Sequence, residues 1–409
     1  MIKVLYLNSS LIGTKTENYC FDPNVLTFTK EYTEKGFTKQ NLKELEELSL
    51  GVYKFPTFPP KKNVSFYEKY FELENDFIPW IFCMKPSEYK TQLTNFAQRV
   101  VEELDKDPIT LSYYKNTFLP SNEVFELLHP MKSFSNLEGN KGAVLKSFIS
   151  NEEYLPVTRY NRTTSTTGRL KVEQGPEILL LKKEIRNKIF STSSRFGQHG
   201  KIYELDYKSL EPRVLLSKTK PNQPLPSDIY SDIQSTVFKN NPGLSRDIIK
   251  KVSLTLLYGG SGETLKDEST DSTRGLYVEV GELCDKINEY FGLEEFKEKL
   301  IKENSENGFI RNEFGRKIST VNARNSILVN YWTQSTAIDI ALAGFSCLTN
   351  SQQYSSSFLP LYVLTDALYV DVDEREWTLK QIEEEVYFKC SKKLFMDQDF
   401  PIGIKRLTE

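Results

Sequence analysis

The chain has 409 residues, of which 39% are hydrophobic and 27% are charged, and it contains 26 phenylalanines and 22 tyrosines. This composition excludes a disordered chain, a collagen and a low-complexity polymer. Fifty-three basic against 56 acidic residues give a net charge of -3, so nucleic acid or a membrane surface could be bound only by local patches. At ~150 residues per domain, the length predicts a globular protein of about two or three domains.

The cysteines argue against a disulfide or zinc framework, because none belongs to a CxxC pair. They are Cys20, Cys83, Cys284, Cys347 and Cys390. The apolar run at the N-terminus is too short for a signal peptide, and no stretch of ~18 uninterrupted apolar residues occurs. We therefore expect a cytoplasmic protein with no membrane partner.

The first half of the sequence predicts four elements in chain order. Residues 2–7, IKVLYL, are typical of a strand. Residues 87–107 carry apolar side chains at helical spacing, with Ser87 as the expected cap. Residues 154–170 are β-branched, basic and rich in hydroxyl groups, which favours an extended ribbon able to contact phosphates. Residues 201–210 alternate apolar and polar, as a half-buried strand does.

The second half predicts helices and two hairpins. Ser245 is the expected N-cap of a helix that ends at glycines 259–260. Two amphipathic helices are expected between residues 276 and 306, followed by a hairpin in GFIRNEFGRKIST. Residues 325–349 predict a long helix with small residues at its centre. Residues 359–373, LPLYVLTDALYVDVD, predict a second hairpin with an acid near its tip.

Two aspartates each close an apolar strand-like run: Asp206 follows IYEL and Asp366 follows LYVLT. If the two strands are neighbours, both carboxylates lie at one edge of a sheet. Carboxylates together with substrate phosphate oxygens are the ligands that Mg²⁺ prefers. The alternative is that each aspartate is an ordinary turn residue at the end of a strand.

The helix after Ser245 carries a second pattern. Arg246, Lys250, Leu254 and Tyr258 recur every four residues and so share one face. At ~1.5 Å per residue the two cations stand about 6 Å apart along the axis, which suits successive phosphates of a triphosphate. The alternative is an ordinary solvated face that ends in a helix cap.

Six motifs occur in an order that is hard to obtain by chance. They are STTGRL (165–170), DYKSLEPR (206–213), RDIIKKVSLTLLYGG (246–260), FGRK (314–317), NYWTQSTAIDI (330–340) and LTDALYVDV (364–372). In this order they resemble the motifs of family A DNA polymerases, the type of bacterial DNA polymerase I and several phage replicases. The segment DIYSDIQSTVF resembles the family's DIH segment, with Tyr230 in place of histidine. The resemblance covers roughly residues 150–409.

This resemblance implies an α+β fold shaped as a right hand, with an antiparallel palm sheet, helical fingers and a thumb. The implied segments are an N-terminal region of unknown role (1–86), a thumb-like helical region (87–150), the first part of the palm (151–216), the fingers (217–319) and the second part of the palm (320–409). Residues 1–86 are too few for a proofreading exonuclease domain, so we expect no 3′–5′ exonuclease. The resemblance also implies that the protein acts in the cytoplasm of a bacterial cell, either as a bacterial protein or as a phage protein in its host.

For the chemistry, the resemblance implies that Asp206 and Asp366 bind two Mg²⁺ ions with help from the carbonyl of Tyr207. Paired metals stabilise phosphoryl transfer without a protein nucleophile. Arg246 and Lys250 would hold the incoming dNTP, and Lys250 would neutralise or protonate the pyrophosphate.

The resemblance also assigns the pocket for the new base pair and its sugar. Tyr258 would close that pocket, and Leu254 stands where family members carry an aromatic residue against the sugar. Glu211 would lie beneath the sugar and exclude a 2′-hydroxyl. The alternative for Glu211 is that it pairs with Arg213 or stabilises the start of a helix.

Primer–template DNA is the implied partner. The residues that match positions contacting it are Arg169, Gln334, Asn330, Arg316 and Thr167. Arg169 and Gln334 would reach the minor groove near the primer end, where all correct pairs present acceptors in similar places. Alternatively, Gln334 and Asn330 are polar residues that serve helix packing. A processivity or replication partner is not identified by the sequence.

Two departures from the family pattern leave other functions open. The usual His-Asp-Glu motif is Thr365-Asp366-Ala367 here, so an accessory carboxylate is missing. Leu254 and Ala367 are the arguments for a catalytically silent nucleic-acid-binding subunit, which the retained aspartates and cations oppose. A single-subunit RNA polymerase shares the helix pattern and Thr255, but Glu211, STTGRL and FGRK disfavour it.

Overall fold

The structure is a computed structural model, and its chain divides into two compact units, Met1–Tyr114 and Lys115–Glu409. We refer to them as the first and second units. The residues that the structure describes are 2–8, 11, 19–30, 36–57, 69–70, 81, 84–134, 143–190, 194–239, 244–262, 280–349, 356–391 and 396–407. Within these residues no helix is both long enough and apolar enough to cross a membrane.

In its described residues, the first unit has a small antiparallel sheet and the three helices given below. The strands, in sheet order, are β1 (Leu5–Leu7), β2 (Tyr19–Asp22) and β3 (Thr27–Lys30). The helices are α1 (Lys39–Leu48), α2 (Pro86–Leu104) and α3 (Pro108–Tyr113). Thr38 caps α1, because its hydroxyl accepts a hydrogen bond from the backbone of Asn41. Strand β1 confirms the strand predicted at residues 2–7, although only Leu5–Leu7 of that run form it.

Helix α2 confirms the helix expected at 87–107 but starts one residue earlier. It buries the apolar stripe that includes Leu93, Phe96 and Val100. Ser87 is not its cap, as the sequence had suggested. The helix begins at Pro86, and Lys85 takes the cap position without a side-chain hydrogen bond. Proline suits the first helical position because its fixed φ is already helical and its missing N–H would have no partner there.

The second unit is a mixed structure of helices and antiparallel sheets. A π-helical turn, Tyr114–Phe118, lies at the boundary between the units. The helices are α4 (Leu119–Glu126), α5 (Ala143–Lys146), α6 (Lys183–Phe190), α7 (Leu210–Thr219), α8 (Ile229–Thr236), α9 (Arg246–Leu257), α10 (Val280–Phe291), α11 (Leu293–Asn307), α12 (Leu328–Thr349) and α13 (Leu379–Val386). Short helical turns occur at Ile178–Leu180, Gly197–His199, Asn325–Ile327 and Tyr387–Ser391. The strands are β4 (Arg159–Asn161), β5 (Lys171–Gln174), β6 (Gly200–Tyr207), β7 (Phe309–Arg311), β8 (Lys317–Ser319), β9 (Phe358–Leu364), β10 (Ala367–Asp373) and β11 (Ile402–Arg406).

Most helices and hairpins of this unit agree with the sequence expectations. Ser245 caps α9 through a hydrogen bond to its hydroxyl from the backbone of Ile248, and Gly259 follows with a φ of 78°. Helices α10 and α11 match the two helices expected between 276 and 306, of which residues 276–279 lie outside the described part. The hairpins β7–β8 and β9–β10 and the long helix α12 are also confirmed.

The ribbon expected at 154–170 is only partly extended. Strand β4 pairs with β5, while residues 162–170 between them form a loop without strand structure. The side chain of Asn161 accepts hydrogen bonds from the backbones of Thr163 and Thr164, which turns the chain away from the sheet. Gly168 has a φ of 80°, a conformation that glycine adopts without strain.

A four-stranded antiparallel sheet in the order β11–β6–β10–β9 lies at the centre of this unit. Its register places Ala367 opposite Asp206 and Tyr369 opposite Glu204. The end of β6 and the tip of the β9–β10 hairpin therefore lie at the same edge of the sheet. This edge is where both strand-ending aspartates were expected to meet.

The long helix α12 holds that edge in place. It is buried along nearly its whole length and packs against α4, α7 and α11. At Gly344 a side chain would collide with the hydroxyl of Tyr207, so glycine permits this close approach. The same hydroxyl donates a hydrogen bond to the carbonyl of Cys390 (2.9 Å). The backbone next to Asp206 is thereby fixed to the core.

The observed fold is α+β, as the sequence predicts. The division into palm, fingers and thumb remains a prediction. The boundary after Tyr114 falls inside the segment 87–150, so that segment belongs partly to each unit.

Candidate active site

A cavity of about 340 Å³ opens at the sheet edge where β6 ends and the β9–β10 hairpin turns. It is bounded by the loop before β5, the turn from β6 into α7, the helices α8 and α9, helix α12 and the hairpin tip. Among the residues predicted from the sequence, the cavity is lined by Arg169, Asp206, Tyr207, Glu211, Lys250, Leu254, Tyr258, Gln334 and Asp366. One cavity thus collects residues that lie up to 197 positions apart in the chain, between Arg169 and Asp366.

Asp206 lies at the end of the pairing of β6 with β10, and Asp366 lies in the hairpin tip immediately before β10; both line the cavity. The backbone N–H of Tyr207 donates a hydrogen bond to the carbonyl of Asp366 (3.1 Å), which locks the hairpin tip against the end of β6. Ala367 stands directly opposite Asp206. The structure therefore brings together the two carboxylates that the sequence could only place at separate strand ends.

Both turns beside these carboxylates contain residues in the left-handed region. Ser209, between β6 and α7, has a φ of 52°, and Thr365, at the hairpin tip, has a φ of 45°. Such values are uncommon for residues other than glycine and unfavourable for a β-branched threonine. Backbone strain of this kind concentrates at functional sites.

The protein environment makes both carboxyl groups harder to ionise. Desolvation, followed by the charges of Asp366 and Glu204, raises the pKa of Asp206 to about 7, although its side chain is exposed to the cavity. Desolvation, followed by the charge of Glu211, raises the pKa of Asp366 to about 6. Desolvation is the largest cause of the raised pKa in both carboxyl groups, and the neighbouring negative charges add to it.

Paired carboxylates of this kind suit a divalent cation, because a bound cation would relieve their repulsion. The oxygens of Asp206 and Asp366 are the hard ligands that Mg²⁺ takes. Among the described residues, no group of three or more histidine, cysteine, aspartate or glutamate side chains is arranged to hold a metal ion. The site therefore offers two carboxylates and leaves further ligands to backbone, water and substrate.

One face of α9 forms a wall of the cavity. Lys250, Leu254 and Tyr258 line it, while the opposite face, which includes Ile249 and Val252, is buried. Arg246, the fourth residue predicted on this face, is not part of the cavity lining. Its guanidinium donates to the Asp228 carboxylate through Nε (3.0 Å) and Nη2 (2.7 Å).

Arg169, Glu211 and Tyr258 form a polar cluster across the cavity. Nη2 of Arg169 donates to Oε1 of Glu211 (3.1 Å). The phenol of Tyr258 interacts with both, and burial together with the Glu211 charge raises the pKa of Tyr258 to about 12. Glu211 does not pair with Arg213, whose guanidinium donates to the backbone carbonyls of Lys208 and Ser227. The carboxylate of Glu211 is thus directed into the cavity.

Two buried arginines fix the position of the loop that carries Arg169. Arg316 is 2% exposed, and its Nη2 donates to the backbone carbonyls of Arg162 (2.9 Å) and Ser165 (3.1 Å). Arg162 is also buried and pairs with Asp339 of α12. Arg316, expected to contact primer–template DNA, therefore reaches the loop and not the solvent. Its side chain positions the loop in this arrangement.

The other residues expected at the DNA lie beside the cavity or outside it. The hydroxyl of Thr167 is buried and donates to Oε1 of Gln334 (3.5 Å), which lines the cavity. Asn330, one turn before Gln334 on α12, does not line it, and its buried Oδ1 accepts no hydrogen bond from the described residues.

Comparison with known proteins gives a match to solved structures. No protein-family model matches the sequence, and no curated protein matches it. The structure resembles the POL domain of Pol1 from M. smegmatis, solved in complex with a DNA primer-template and dNTP. The TM-score is 0.57 at 14% sequence identity, and the match covers 90% of this chain and 80% of that chain. This chain has a polymerase fold.

Within the polymerase fold, the sequence had not singled out several residues of the cavity. The left-handed backbone conformations of Ser209 and Thr365 were not predicted, because a positive φ cannot be read from a residue other than glycine. Tyr230 was noted only as a replacement within a motif, yet it lines the cavity beside Arg246. Glu204 was assigned no role from the sequence; it is 5% exposed and lies on β6 outside the cavity lining. Its spacing of two from Asp206 was the available signal, because such residues share one face of a strand.

The raised pKa values predict that the candidate site weakens the fold as pH rises. Asp206 has an ordinary value of 3.8 and a folded value of about 7, so the unfolded chain loses its proton first. Stability is therefore lost between about pH 4 and pH 7. We expect Asp206→Asn to unfold at a higher temperature than the wild type at pH 8 in a chelator, and at the same temperature below pH 4.

Asp373→Asn provides a control of opposite sign for these thermal denaturation curves. Arg375 holds the pKa of Asp373 at about 2, so ionised Asp373 stabilises the fold, and that stability is lost as pH falls through this value. Asp373→Asn should therefore unfold at a lower temperature than the wild type at pH 8. An Asp206→Asn variant that is no more stable than the wild type at pH 8 would contradict the account.

Proposed function

We propose that this protein is a template-directed DNA polymerase of the family A type, which extends a primer with dNTPs by two-metal nucleotidyl transfer. The observation that carries the proposal is that Asp206 and Asp366 share one cavity with Lys250 and Tyr258 of α9. The polymerase fold supports it. The residues in the cavity supply the parts that this reaction needs.

Asp206 and Asp366 would hold Mg²⁺, with the backbone carbonyl of Tyr207 as a further ligand. When bound, two such ions stabilise the charge on the attacking 3′-oxygen and on the leaving pyrophosphate. A reaction of this kind does not depend on a catalytic histidine or on another nucleophile from the protein. The raised pKa values of both aspartates fall once a cation compensates their charge, so metal binding and ionisation support each other.

The cations of α9 would bind the triphosphate. Lys250 projects into the cavity, where it can neutralise the pyrophosphate as it leaves. Arg246 is held by Asp228 at the outer part of the same helix. Because its side chain is 42% exposed, it can exchange this partner for a phosphate oxygen.

The Arg169–Glu211–Tyr258 cluster would surround the sugar and base of the incoming nucleotide. Arg169 and Gln334 both line the cavity and are the candidates for contact with the primer end. Thr167 positions Gln334 by its hydrogen bond, and Arg316 positions the loop that carries Arg169. These assignments extend the proposal to primer–template DNA as the partner.

Primer extension tests the proposed function. A labelled primer annealed to template DNA is incubated with dNTPs or with ribonucleotides, each with and without Mg²⁺. We expect elongation with dNTPs and Mg²⁺ only. Elongation mainly with ribonucleotides would identify an RNA polymerase, and DNA binding without elongation would identify a catalytically silent subunit. Incubation without nucleotides measures whether the protein shortens the primer.

Glu211 is expected to determine the choice of sugar. Its carboxylate is held in the cavity by Arg169, where an added 2′-hydroxyl would collide with it or remain without a partner. We expect Glu211→Ala to raise ribonucleotide incorporation at least about tenfold, equivalent to ~1.4 kcal/mol, with a smaller change for deoxynucleotides. Single-nucleotide kcat/KM for both sugars measures this.

Glu313→Ala is the matched control for Glu211. Glu313 also pairs with a cation, Lys218 (2.7 Å), but does not line the cavity. Its removal should leave the ratio of deoxynucleotide to ribonucleotide use unchanged. An unchanged ratio in Glu211→Ala would refute the assignment.

A further inference from the structure

Arg246 begins α9 on the same face as Lys250, but only Lys250 lines the cavity. The two residues are one turn apart, which is about 6 Å along the axis at ~1.5 Å per residue. The guanidinium of Arg246 lies over the ring of Tyr230 on α8, 5.4 Å from its centroid, and Tyr230 lines the cavity. Arg246 is therefore adjacent to the cavity wall without being part of the lining.

The carboxylate of Asp228 uses its two oxygens for two different contacts. Oδ1 accepts a hydrogen bond from the backbone N–H of Ser231 (2.9 Å) and so caps α8. Oδ2 accepts hydrogen bonds from Nε (3.0 Å) and Nη2 (2.7 Å) of Arg246. The cap needs an acceptor oxygen but no negative charge, because asparagine and serine cap helices about as well as aspartate does. The contact with Arg246 uses the charge, so the two contacts can be separated by mutation.

The ion pair is exposed enough for Arg246 to exchange its partner. The side chains of Arg246 and Asp228 are 42% and 38% exposed, and pairs this exposed stabilise a protein only slightly because water and salt screen them. A carboxylate carries one negative charge, whereas a polyphosphate carries several and offers acceptor oxygens on successive phosphates. A polyphosphate that extends from Lys250 toward Arg246 can therefore displace Asp228.

We propose that Asp228 competes with the polyphosphate of the substrate for Arg246, and so lowers the affinity of the site for nucleotide. This inference rests on the proposed function, in which Arg246 binds the triphosphate. Asp228 is then a positioning residue that acts through Arg246 and touches no substrate atom. Because its carboxylate binds Arg246 again when the phosphates leave, the pair favours release of pyrophosphate after each addition.

Isothermal titration calorimetry of the full chain with inorganic triphosphate and Mg²⁺, without DNA, tests the inference. Asp228→Asn keeps an acceptor for the helix cap but loses the charge that binds Arg246. We expect this variant to bind inorganic triphosphate about threefold more tightly than the wild type, within the range that an exposed ion pair can supply. Asp228→Ser keeps a capping oxygen too and should show the same gain if Asp228→Asn does not fold. Unchanged or weaker binding would overturn the inference.

Dependence on Arg246 separates this role from a purely structural role in α8. When Asp228→Asn is added to Arg246→Ala, we expect no further change in triphosphate affinity, because the cation that Asp228 withholds is already gone. An equal gain with and without Arg246 would show that Asp228 acts on the anion by another route. That result would overturn the inference.

Asp247→Asn is the matched control for the loss of one negative charge beside Arg246. Oδ1 of Asp247 lies 3.7 Å from Nη1 of Arg246, too far for a hydrogen bond, and its side chain is 91% exposed. Its replacement should leave triphosphate affinity unchanged. A gain as large as that of Asp228→Asn would mean that removing any nearby acid has this effect, which would contradict a specific role for Asp228.

Arg246→Ala alone distinguishes failure of this inference from failure of the proposed function. If Arg246→Ala binds inorganic triphosphate as the wild type does, Arg246 is not a phosphate ligand, and the inference fails together with that part of the proposed function. If Arg246→Ala weakens binding while Asp228→Asn does not strengthen it, only the role of Asp228 is wrong. Primer extension by the wild type tests the proposed function independently of both results.

Discussion

Replacement of Asp206 or Asp366 by asparagine should lower the rate of primer extension at least about a thousandfold, equivalent to ~4 kcal/mol of transition-state stabilisation. Both carboxylates line the cavity where the end of β6 adjoins the tip of the β9–β10 hairpin. Asparagine keeps the shape of the side chain but removes the charge that would hold Mg²⁺. Rapid-quench measurement of a single nucleotide addition gives this rate.

The same variants should bind primer–template DNA nearly as well as the wild type, because an ionised carboxylate has no donor to offer an anionic phosphate. Fluorescence anisotropy of labelled DNA measures this. Asp371→Asn is the control, since Asp371 is buried on the same strand as Ala367 but accepts from Ser194 and Arg195 outside the cavity. A retained rate above about a tenth of the wild type, a loss below ~1.4 kcal/mol, would remove that aspartate from the catalytic assignment.

Lys250→Ala should have the second-largest effect, a loss of about 100-fold or more in the maximal rate of nucleotide addition. Lys250 lines the cavity together with both aspartates, where the proposed reaction would develop negative charge on the leaving pyrophosphate. Removing one preplaced donor to developing charge typically costs about 10²–10³ in kcat. Arg246→Ala should instead mainly raise KM for the nucleotide, because Arg246 lies outside the cavity lining.

Lys251→Ala tests whether the effect of Lys250→Ala depends on where on α9 the lost positive charge lies. Lys251 is the next residue of the same helix and does not line the cavity. Its replacement should leave kcat and KM for the nucleotide within about twofold of the wild type, as is usual for surface charges that touch no ligand. Loss of DNA affinity with normal nucleotide kinetics in Lys250→Ala would mean that this face contacts the duplex.

The fold was predictable where the pattern is local. Alternating residues in β6, the interrupted apolar run of β9–β10 and the four-residue spacing on α9 each follow from backbone geometry. The capping of α9 by Ser245 was also visible, because the cap and the helix it serves are adjacent in sequence. The start of α2 at Pro86 was missed because serine and proline are both favoured near helix starts.

The site was less predictable, because it depends on tertiary neighbours. No sequence pattern reports that Arg316 is buried under the Arg169 loop or that Arg246 is held by Asp228. Glu204 was missed for the same reason: a glutamate in an alternating strand predicts an exposed face, and only the register with Tyr369 shows that this face is covered. Local propensity often fails at functional sites, where strained turns such as Ser209 and Thr365 also occur.

Template-directed addition of single nucleotides tests the central claim most directly. Each of the four dNTPs is offered separately, with Mg²⁺, to the wild-type protein on four primer–templates that differ only in the first unpaired template base. We expect rapid addition only of the complementary nucleotide on each template, and no addition by Asp206→Asn under the same conditions. Addition independent of the template base, or no addition on any template, would contradict the account.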